Sequence, residues 1–219
     1  MPRSKQIITS VKDTYNEIGK EFSASRTYIW PDLAPFLSQI TSRTVLEVLD
    51  VGCGNGRLLL GLPKNVKYTG LDISQTLLAE AAKAHPKHKF LETDITKESA
   101  WKHLPLFDYI FCVAVLHHLP TLKDQLFVLD QIKKHLKPQG KVLITAWNLW
   151  QSKYLKHHLS LKSINVKCKM RNVKCLYVPF QGQPRFCFAY TTPYLRSLLK
   201  QARFNLKIHK SPHNYLLDT

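Results

Sequence analysis

The stretch Val45–Arg57, with the sequence VLEVLDVGCGNGR, decides the fold class of this chain. Its apolar first half has the composition of a parallel strand that is buried on both faces. Gly52, Gly54 and Gly56 follow, and glycine lets a backbone turn tightly and approach a ligand closely. Residues Arg57–Leu62 are predicted to be helical, with their first free N–H groups pointing back into the turn. The stretch therefore predicts a strand–turn–helix unit of an α/β domain.

The spacing of these glycines narrows the kind of ligand. It is G-x-G-x-G, whereas the dinucleotide fingerprint needs its third glycine at position 57, where Arg57 stands. The Gly-Lys-Ser/Thr ending of a phosphate-binding P-loop is missing as well. The turn therefore favours a nucleoside ligand without a diphosphate. Taken alone, it is equally compatible with an ordinary strand–turn–helix junction.

Length and composition indicate a single globular domain. The chain has 219 residues, of which 44% are hydrophobic, and no apolar run reaches the length of a membrane span. The N-terminal sequence MPRSKQIITS has no apolar core of the signal-peptide type. The five cysteines form neither a CxxC pair nor a zinc-binding spacing, so we expect reduced, buried thiols. We therefore expect a cytoplasmic protein that does not bind membranes.

The positive charge of the chain is concentrated in its last third. The formal net charge is +17, and residues 151–219 carry 13 basic side chains and one acidic side chain, a net +12. Such a surface is typical of a protein that binds nucleic acid, although a basic face without a partner is the alternative. The segment Lys153–Lys174 carries seven basic residues and no acidic one. We interpret this segment as a contact surface for an RNA backbone.

The strands after the first one alternate with helices, which predicts a mostly parallel sheet with helices on both faces. The predicted strands are Val66–Asp72, Lys89–Leu91, Phe107–Val113 and Lys141–Trp147.

Two helices precede the first strand and are expected to form a lid over the sheet. Val11, Tyr15 and Ile18 recur at helical spacing within Thr9–Ser23, and Pro31 begins a second helix. We expect one domain over residues 1–219. It consists of lid helices (1–44), a core (45–148), a basic insertion on the substrate side (149–190), and a final helix with a β-hairpin (191–219).

Acidic residues follow the second and third strands. Asp72 ends the second strand, 20 residues after Gly52 (72 − 52), where a carboxylate can accept both hydroxyls of a ribose bound over the first turn. Asp94 follows the third strand and can accept from the amino group of an adenine, while Ile95 packs on the ring. Together with the glycines, these acids predict an adenosine site at the carboxyl edge of the sheet.

The segments LDVGCGNG, TDI, FDYIFCVAVLHHL and KPQGKVLI, together with Asp72, resemble the class I S-adenosylmethionine (SAM) methyltransferases over residues 45–147. The resemblance implies a Rossmann-like fold with a seven-stranded sheet whose last strand is antiparallel. It also implies that Gly52–Asn55 surround the methionine part of SAM. The residues expected to contact the cofactor are Arg26, Asp50, Gly52, Cys53, Gly54, Asn55, Asp72, Ile73, Asp94, Ile95 and Ala114.

A narrower resemblance covers residues 10–219. The segments SASRTYIWP, VGCGNGR, AVLHHLPT, AWN and YVPF…RFCFAY are similar to the tRNA wobble-uridine carboxymethyl methyltransferases. That family implies methyl esterification of 5-carboxymethyluridine in the tRNA anticodon loop, with a small zinc-binding activator subunit as a partner. The chain departs from the family pattern at Phe186-Cys187, where two tyrosines are common, at Arg203-Phe204, where Gly-Phe is common, and at Arg57, where lysine is common.

The implied reaction requires alignment more than acid–base catalysis. A carboxylate is already ionised at neutral pH, and holding it in line for transfer contributes roughly 7–11 kcal/mol. Arginine grips a carboxylate well, so Arg26 and Arg185 are candidates, although Arg26 suits the carboxylate of SAM equally. Trp147 and Asn148 could stack on and hydrogen-bond a flipped base, or instead belong to the core and the following loop.

The pair His117-His118 follows the fourth strand, where the acceptor pocket is expected. Adjacent side chains diverge and lack the spacing of a metal-binding motif, so we expect one histidine to line the pocket and the other to pack. The predicted acceptor-side residues are Arg26, His117, Asn148 and Arg185. A methyltransferase for a small molecule or a protein, and a non-catalytic RNA-binding partner with this fold, are the alternative functions.

Overall fold

A computed structural model describes residues 2–41, 43–159 and 173–219. Seven strands form one sheet with the order β3-β2-β1-β4-β5-β9-β8, and β6 and β7 form a separate pair. The strands are β1 (Leu46–Val51), β2 (Val66–Asp72), β3 (Lys89–Glu92), β4 (Phe107–Val113), β5 (Leu136–Trp147), β6 (Lys174–Phe180), β7 (Gln183–Ala189), β8 (Lys207–Lys210) and β9 (Asn214–Asp218).

The direction of the strands confirms the fold predicted from the sequence. Strands β1 to β5 are parallel to one another, whereas β9 is antiparallel to both of its neighbours, β5 and β8. This is a Rossmann-like sheet of seven strands with the last one antiparallel. Its strand order reverses on either side of β1, and the carboxyl ends of β1 and β4 meet at that point, where open α/β sheets bind ligands.

Helices cover both faces of the sheet, as predicted. They are α1 (Pro2–Ala24), α2 (Ala34–Leu37), α3 (Gln75–Ala84), α4 (Leu122–His135), α5 (Leu155–His158) and α6 (Thr192–Gln201). The predicted helix after the glycine-rich turn is a short 3₁₀ helix, Arg57–Gly61. None of the described helices combines the length and the apolar character needed to cross a membrane.

Alternate residues of the central strands supply the two cores. Leu49 and Val51 of β1 belong to the apolar cluster on one face, which includes residues of α4 and α6. Val48 belongs to the cluster on the other face, which includes Leu37 of α2 and Leu78 of α3. Because successive side chains of a strand point to opposite faces, a continuous apolar run is what a sheet covered on both sides requires.

Strand β5 differs from its prediction, because it begins at Leu136 instead of Lys141. Phe107 pairs with Leu136 and Tyr109 pairs with Lys141, so β5 spans five residue steps where β4 spans two. The three extra steps form a bulge, which accommodates the segment Pro138-Gln139-Gly140.

The hairpin β6–β7 lies outside the main sheet and belongs to the predicted basic insertion. Strand β7 packs against α1 and against the 3₁₀ turn Leu116–His118 that follows β4. Much of the basic segment Lys153–Lys174, from residue 160 to residue 172, lies outside the described residues. Cys53, Cys112 and Cys187 are free and buried as expected, whereas Cys175 is disulfide-bonded and corrects that expectation.

Ser74, the residue immediately before α3, joins that helix to α1. The hydroxyl of Ser74 accepts a hydrogen bond from Leu77 N at 3.2 Å, which caps α3, and donates one to Asn16 Oδ1 of α1 at 2.9 Å. Ser74 is fully buried, so these bonds are shielded from water. The junction therefore holds the long N-terminal helix over the carboxyl end of β2.

We expect the substitution Ser74→Ala to lower the free energy of unfolding by about 1–2 kcal/mol, because it removes an N-cap together with the bond to Asn16. Urea denaturation followed by circular dichroism measures the change. The matched control is Ser38→Ala, since the exposed Ser38 hydroxyl donates only to Pro35 O within its own turn. Equal losses for the two variants would contradict the role of Ser74.

Candidate functional site

A cleft opens at the carboxyl ends of β1, β2 and β4 beneath α1. Its walls include the glycine-rich turn, the residues that follow β2 and β3, and the apolar face of α1. The structure brings all eleven residues predicted to contact the cofactor to this cleft. They are Arg26, Asp50, Gly52, Cys53, Gly54, Asn55, Asp72, Ile73, Asp94, Ile95 and Ala114.

The carboxylate of Asp72 organises the centre of the cleft. Its Oδ2 accepts from Gly54 N and its Oδ1 accepts from Ser74 N, each at 2.8 Å. Burial raises the pKa of Asp72, and the bonds from the backbone amides oppose that shift. A carboxylate offers about four acceptor positions, so two remain for a ligand after these two bonds. A pair of ribose hydroxyls matches that remaining capacity.

The backbone conformation of the turn favours glycine at both Gly52 and Gly54, and the space at Gly52 excludes a side chain as well. Gly52 has φ +76°, and a Cβ placed on it would come within 2.2 Å of Val115 Cγ2. A Cβ on Gly54, which has φ +54°, would meet only Leu77 Cδ1, at 3.9 Å. The backbone at Gly54 therefore faces open space, and a ligand in that space can approach the backbone closely.

Asp94 and Ile95 form the far wall of the cleft. Asp94 Oδ1 accepts from the backbone N of Thr96 at 2.9 Å and from its hydroxyl at 2.7 Å, while Oδ2 lies 3.9 Å from Lys97 Nζ. The carbonyl of Ile95 accepts from the indole of Trp101 at 2.9 Å. These bonds fix a carboxylate beside an apolar side chain, which is the composition expected around an adenine ring.

Two charged groups near the glycine-rich turn each have one buried atom without a hydrogen-bond partner in the described residues. Asp50 Oδ2 accepts from Tyr68 Oη at 2.7 Å, whereas its buried Oδ1 has no hydrogen-bond partner among the residues that the structure describes. Burial raises the pKa of Asp50 to about 7. Arg57 stacks on the ring of Trp30 at 4.5 Å, and burial and the nearby charge of Arg26 lower its pKa to about 10. Its Nη1 is buried, again without a partner in the described part of the chain.

Arg26 lies where the cleft meets the β6–β7 hairpin. Its guanidinium is 5.1 Å from the ring centroid of Phe22 and 5.6 Å from that of Phe180. Nη1 donates to the backbone and side-chain oxygens of Ser25, each at 3.3 Å. This position is compatible with a role toward the cofactor and with a role toward the acceptor, and both stay predictions.

Arg185, a predicted acceptor-side residue, does not line the cleft itself and is buried behind one of its wall residues. It is 5% exposed, and its guanidinium lies 4.8 Å from the ring centroid of Trp147, a residue of the cleft wall. Nε donates to Val178 O at 3.4 Å, while Nη1 is buried without a partner in the described residues. No carboxylate of residues 2–41, 43–159 or 173–219 forms an ion pair with it. Because an unpaired buried charge is costly, this geometry favours an anionic ligand.

His118 faces the cleft with both ring nitrogens occupied. Its Nδ1 lies 2.6 Å from Phe186 O, a carbonyl that can only accept, so Nδ1 carries the proton. Its Nε2 then accepts from Tyr15 Oη at 3.1 Å. Burial, together with the charge of Arg185, lowers the pKa of His118 to about 4 despite the bond to Phe186. His118 is therefore neutral at physiological pH.

His117, which we predicted as a site residue, packs behind the cleft wall. It is fully buried, and its ring centroid lies 4.7 Å from that of Trp147. Side chains of a 3₁₀ turn diverge by about 120° per residue, so only one of the two rings lines the cleft although their centroids lie 4.3 Å apart. As expected, one histidine lines the pocket and the other packs, but the lining residue is His118.

Asn148 also lies away from the cleft. Its Nδ2 donates to Pro212 O and its Oδ1 accepts from Trp150 N, both at 3.3 Å. These bonds stabilise the loop after β5. They agree with the alternative interpretation of Asn148 as a residue of that loop, in place of a contact with a base. Its neighbour Trp147 does line the cleft.

One group beside Arg185 has the donor types of a metal site. The ligand atoms of His117, His118 and Cys187 lie within 4.8 Å of one another. However, His118 Nδ1 already donates to Phe186 O, and the guanidinium of Arg185 opposes a second cation nearby. The group therefore has the ligands of a metal site without a favourable electrostatic environment.

Sequence reasoning missed Tyr15, Arg57 and His118 as cleft residues. Tyr15 recurs at helical spacing on α1 and looks like an ordinary core residue. Arg57 attracted notice only because it stands where the dinucleotide fingerprint has glycine and where the resembled tRNA methyltransferases commonly have lysine. No feature of the sequence distinguishes His118 from His117, because the 3₁₀ turn that contains them decides which of the two rings lines the cleft.

Comparisons with known proteins agree with this fold. A family model described as a methyltransferase domain matches residues 49–142. The chain is 31% identical over 163 residues to the tRNA (carboxymethyluridine(34)-5-O)-methyltransferase ALKBH8 of Mus musculus, covering 67% of this chain and 22% of that protein. It is 32% identical over 146 residues to the tRNA (carboxymethyluridine(34)-5-O)-methyltransferase of Saccharomyces cerevisiae, covering 64% and 49%. The chain thus spans half or less of the length of these two relatives.

A solved structure, a DhpI–SAM–HEP complex, superposes with a TM-score of 0.69 at 17% identity and covers 97% of both chains. That likeness shows the fold. Three further observations agree with a methyltransferase domain. They are the matching family model, the seven-stranded sheet, and the bond that joins the glycine-rich turn to Asp72. The chain thus matches the methyltransferase-domain family over residues 49–142, has the fold of the DhpI–SAM–HEP complex, and is similar in sequence to the tRNA carboxymethyluridine methyltransferases.

Proposed function

We propose that this chain transfers the methyl group of SAM to the carboxylate of 5-carboxymethyluridine at the wobble position of tRNA, which forms a methyl ester. The observation that carries the proposal is the buried guanidinium of Arg185, which has no carboxylate partner among the described residues and stacks on Trp147 at the cleft wall. The names of the sequence relatives support the same substrate.

The cofactor half of the cleft has the donor set that SAM requires. Asp72 has free acceptor capacity for a ribose, Asp94 and Ile95 offer a carboxylate beside an apolar wall, and Gly54 leaves room above its backbone. When bound, SAM supplies a methyl group on a positively charged sulfur, which becomes a neutral thioether as the acceptor oxygen takes the methyl group.

On the acceptor half, the protein mainly positions the reacting group. A carboxylate is ionised at neutral pH and needs no general base, in agreement with a neutral His118 whose nitrogens are both engaged. Arg185 would hold the carboxylate through its planar fork of N–H donors. The ring of Trp147 would supply a stacking surface for the base. Alignment of this kind is the main source of rate enhancement when the nucleophile is already active.

The proposed macromolecular partner is the anticodon loop of tRNA, held by the basic C-terminal third. The net charge of +12 over residues 151–219 supports this partner. A small zinc-binding activator subunit is a further proposed partner. The genetic experiment described below includes any such subunit, because it is carried out in cells.

We expect Asp72→Asn to weaken the binding of the product S-adenosylhomocysteine about 10- to 100-fold, because an amide can accept on only one side and loses charge-assisted bonds. Isothermal titration calorimetry measures the affinity. The control Asp130→Asn removes an exposed carboxylate that pairs with Lys134 on α4, and should leave the affinity unchanged. Wild-type affinity in the Asp72 variant would contradict the assigned cofactor site.

We expect Arg185→Gln to lower esterification of tRNA about 100-fold while the affinity for S-adenosylhomocysteine stays within twofold of the wild-type value. Arg185→Lys should fall in between, because it keeps the charge but loses the planar fork. Arg196→Gln on α6 is the matched control, since Arg196 is exposed. Unchanged esterification in the Arg185→Gln variant would show that Arg185 does not hold the acceptor, and would contradict the proposal.

The function itself is tested by mass spectrometry of tRNA nucleosides from cells with and without the gene. Loss of the methyl ester, with accumulation of the free 5-carboxymethyl nucleoside at the wobble position, is the expected result. Unaltered wobble uridines would refute the proposed acceptor and favour a small-molecule or protein substrate, or a non-catalytic role.

A further inference from the structure

An arginine after α6 occupies a backbone position that favours glycine. Arg203 has φ +49°, in the left-handed region where a Cβ is crowded by the following carbonyl. Its N–H donates to Lys200 O at 3.1 Å, and the N–H of Phe204 donates to Leu199 O at 3.0 Å. These two bonds form a Schellman motif, whose left-handed residue is usually glycine. The backbone at Arg203 is therefore strained in a way that glycine would avoid, and such strain points to a use for the side chain.

Other exposed cations surround Arg203. Lys133, near the end of α4, donates from Nζ to Arg203 O at 2.6 Å, so the end of α4 lies against the loop that follows α6. Arg196 and Lys200 lie four residues apart on the exposed face of α6, and Lys207 begins β8. We call these five exposed side chains, Lys133, Arg196, Lys200, Arg203 and Lys207, the α6 patch.

The positive charge of the α6 patch is not balanced locally. Helix α6 contains no acidic residue, and none of the five side chains forms an ion pair with the part of the chain that the structure describes. The neighbouring carboxylates face other bases, Asp130 at 2.6 Å from Lys134 and Asp218 at 3.2 Å from His209. Like charges four residues apart on a helix repel each other. A bound polyanion would relieve this repulsion.

The composition of the α6 patch favours a nucleic-acid backbone over a protein or a membrane. The large apolar residues that are exposed in the described chain all lie outside α4, α6 and β8. A protein interface has an apolar core, and a helix that lies on a membrane turns an apolar face toward the lipid. Phosphates of RNA, in contrast, are bound by charge alone, and a guanidinium such as that of Arg203 can hold one through two parallel bonds.

The α6 patch lies toward the opposite end of the sheet from the cleft. Strand β8 runs in the same direction as β5, because both are antiparallel to β9. Arg203 precedes β8 and Lys133 precedes β5, whereas Trp147 of the cleft wall ends β5. Six residue steps of β5 (147 − 141) separate Lys141 from Trp147, which corresponds to about 20 Å. An RNA that occupies both places must therefore extend well beyond the nucleotide in the cleft.

We propose that the α6 patch binds the phosphate backbone of a tRNA stem while the loop of the same tRNA presents its nucleotide to the cleft. The inference rests on the proposed function for the identity of the RNA. The patch contacts phosphates and reads no base, so it adds affinity and orientation without adding sequence specificity. The acceptor is thereby recognised as a nucleotide within a folded RNA.

The test measures affinity by fluorescence anisotropy for an unmodified tRNA transcript and for an oligonucleotide of the anticodon loop alone. We expect the triple variant Lys200→Gln, Arg203→Gly, Lys207→Gln to bind the transcript about 10- to 100-fold more weakly at low salt, with a salt slope lower by about 2 to 3. Its affinity for the loop oligonucleotide should stay within about twofold, because distant charges are screened. Unchanged affinity for the transcript, or equal losses for both probes, would overturn the inference.

The matched control removes the same number of charges from the other edge of the sheet. The side chains of Lys83, Lys87 and Lys89 are exposed, they form no ion pair with described residues, and they lie at or before the edge strand β3. Their triple replacement by glutamine should leave the affinity for the transcript within about twofold of the wild-type value. Equal weakening by the two triple variants would assign the effect to net charge and refute a local patch.

Single variants at Arg203 separate binding from stability. Glycine suits the backbone of this position, so Arg203→Gly should leave the urea midpoint unchanged or raise it, while the affinity for the transcript falls about three- to tenfold. Arg203→Lys keeps the charge and should lose less affinity than Arg203→Gly. A clearly lower midpoint in the glycine variant would show that the side chain serves the fold, and would overturn the inference.

Two further outcomes distinguish the partner and the underlying function. Loss of binding to phosphatidylserine vesicles by the triple variant, with unchanged affinity for the transcript, would make the α6 patch a membrane contact and refute the inference. If wobble uridines are unaltered in cells without the gene but the triple variant loses the transcript, the proposed acceptor is wrong and the RNA surface stands. If the methyl ester is lost in those cells but the triple variant binds the transcript normally, only the α6 patch is refuted.

Discussion

The bidentate position of the Asp72 carboxylate is the constraint on which the cleft depends. One oxygen holds the glycine-rich turn through Gly54 N, and the other holds the start of α3 through Ser74 N. Each bond joins an amide dipole to a carboxylate that burial has made costly to ionise. The turn after β1 and the helix after β2 therefore keep a fixed separation, and the ligand enters the space between them. The turn contains three glycines with positive φ, and glycine is free to adopt many backbone conformations. The bond to Asp72 favours one of these conformations for the turn.

The two halves of the cleft come from different parts of the architecture. The cofactor half uses the ends of β1, β2 and β3, which belong to the main sheet and inherit its rigidity. The proposed acceptor half combines the turn Leu116–His118 and Trp147 with Arg185, which comes from the separate β6–β7 hairpin and packs on Trp147. An inserted hairpin can thus bring a buried arginine to the edge of a sheet without changing the sheet.

The parts of the structure that could be predicted from sequence are those determined by local chemistry. The apolar strand before Gly52 and the acid at the end of β2 were placed correctly, because strand burial and a glycine-rich turn leave signals within a few residues. His118 could not be distinguished from His117, since a 3₁₀ turn sets their directions. The unpaired state of Arg185 is a property of everything packed around it, which includes Val178 of the same hairpin and Trp147 at the end of β5.

Helix α1 covers both halves of the cleft at once. It is tied to the cofactor half through Asn16 at Ser74 and through the bond from Asn55 to the carbonyl of Ser23, and it reaches the acceptor half through Tyr15 at His118. A large acceptor seated on the Tyr15 side would also close the passage beside the cofactor. The two ligands would then follow a compulsory kinetic order, in which the nucleoside cofactor is the first to arrive and the last to depart.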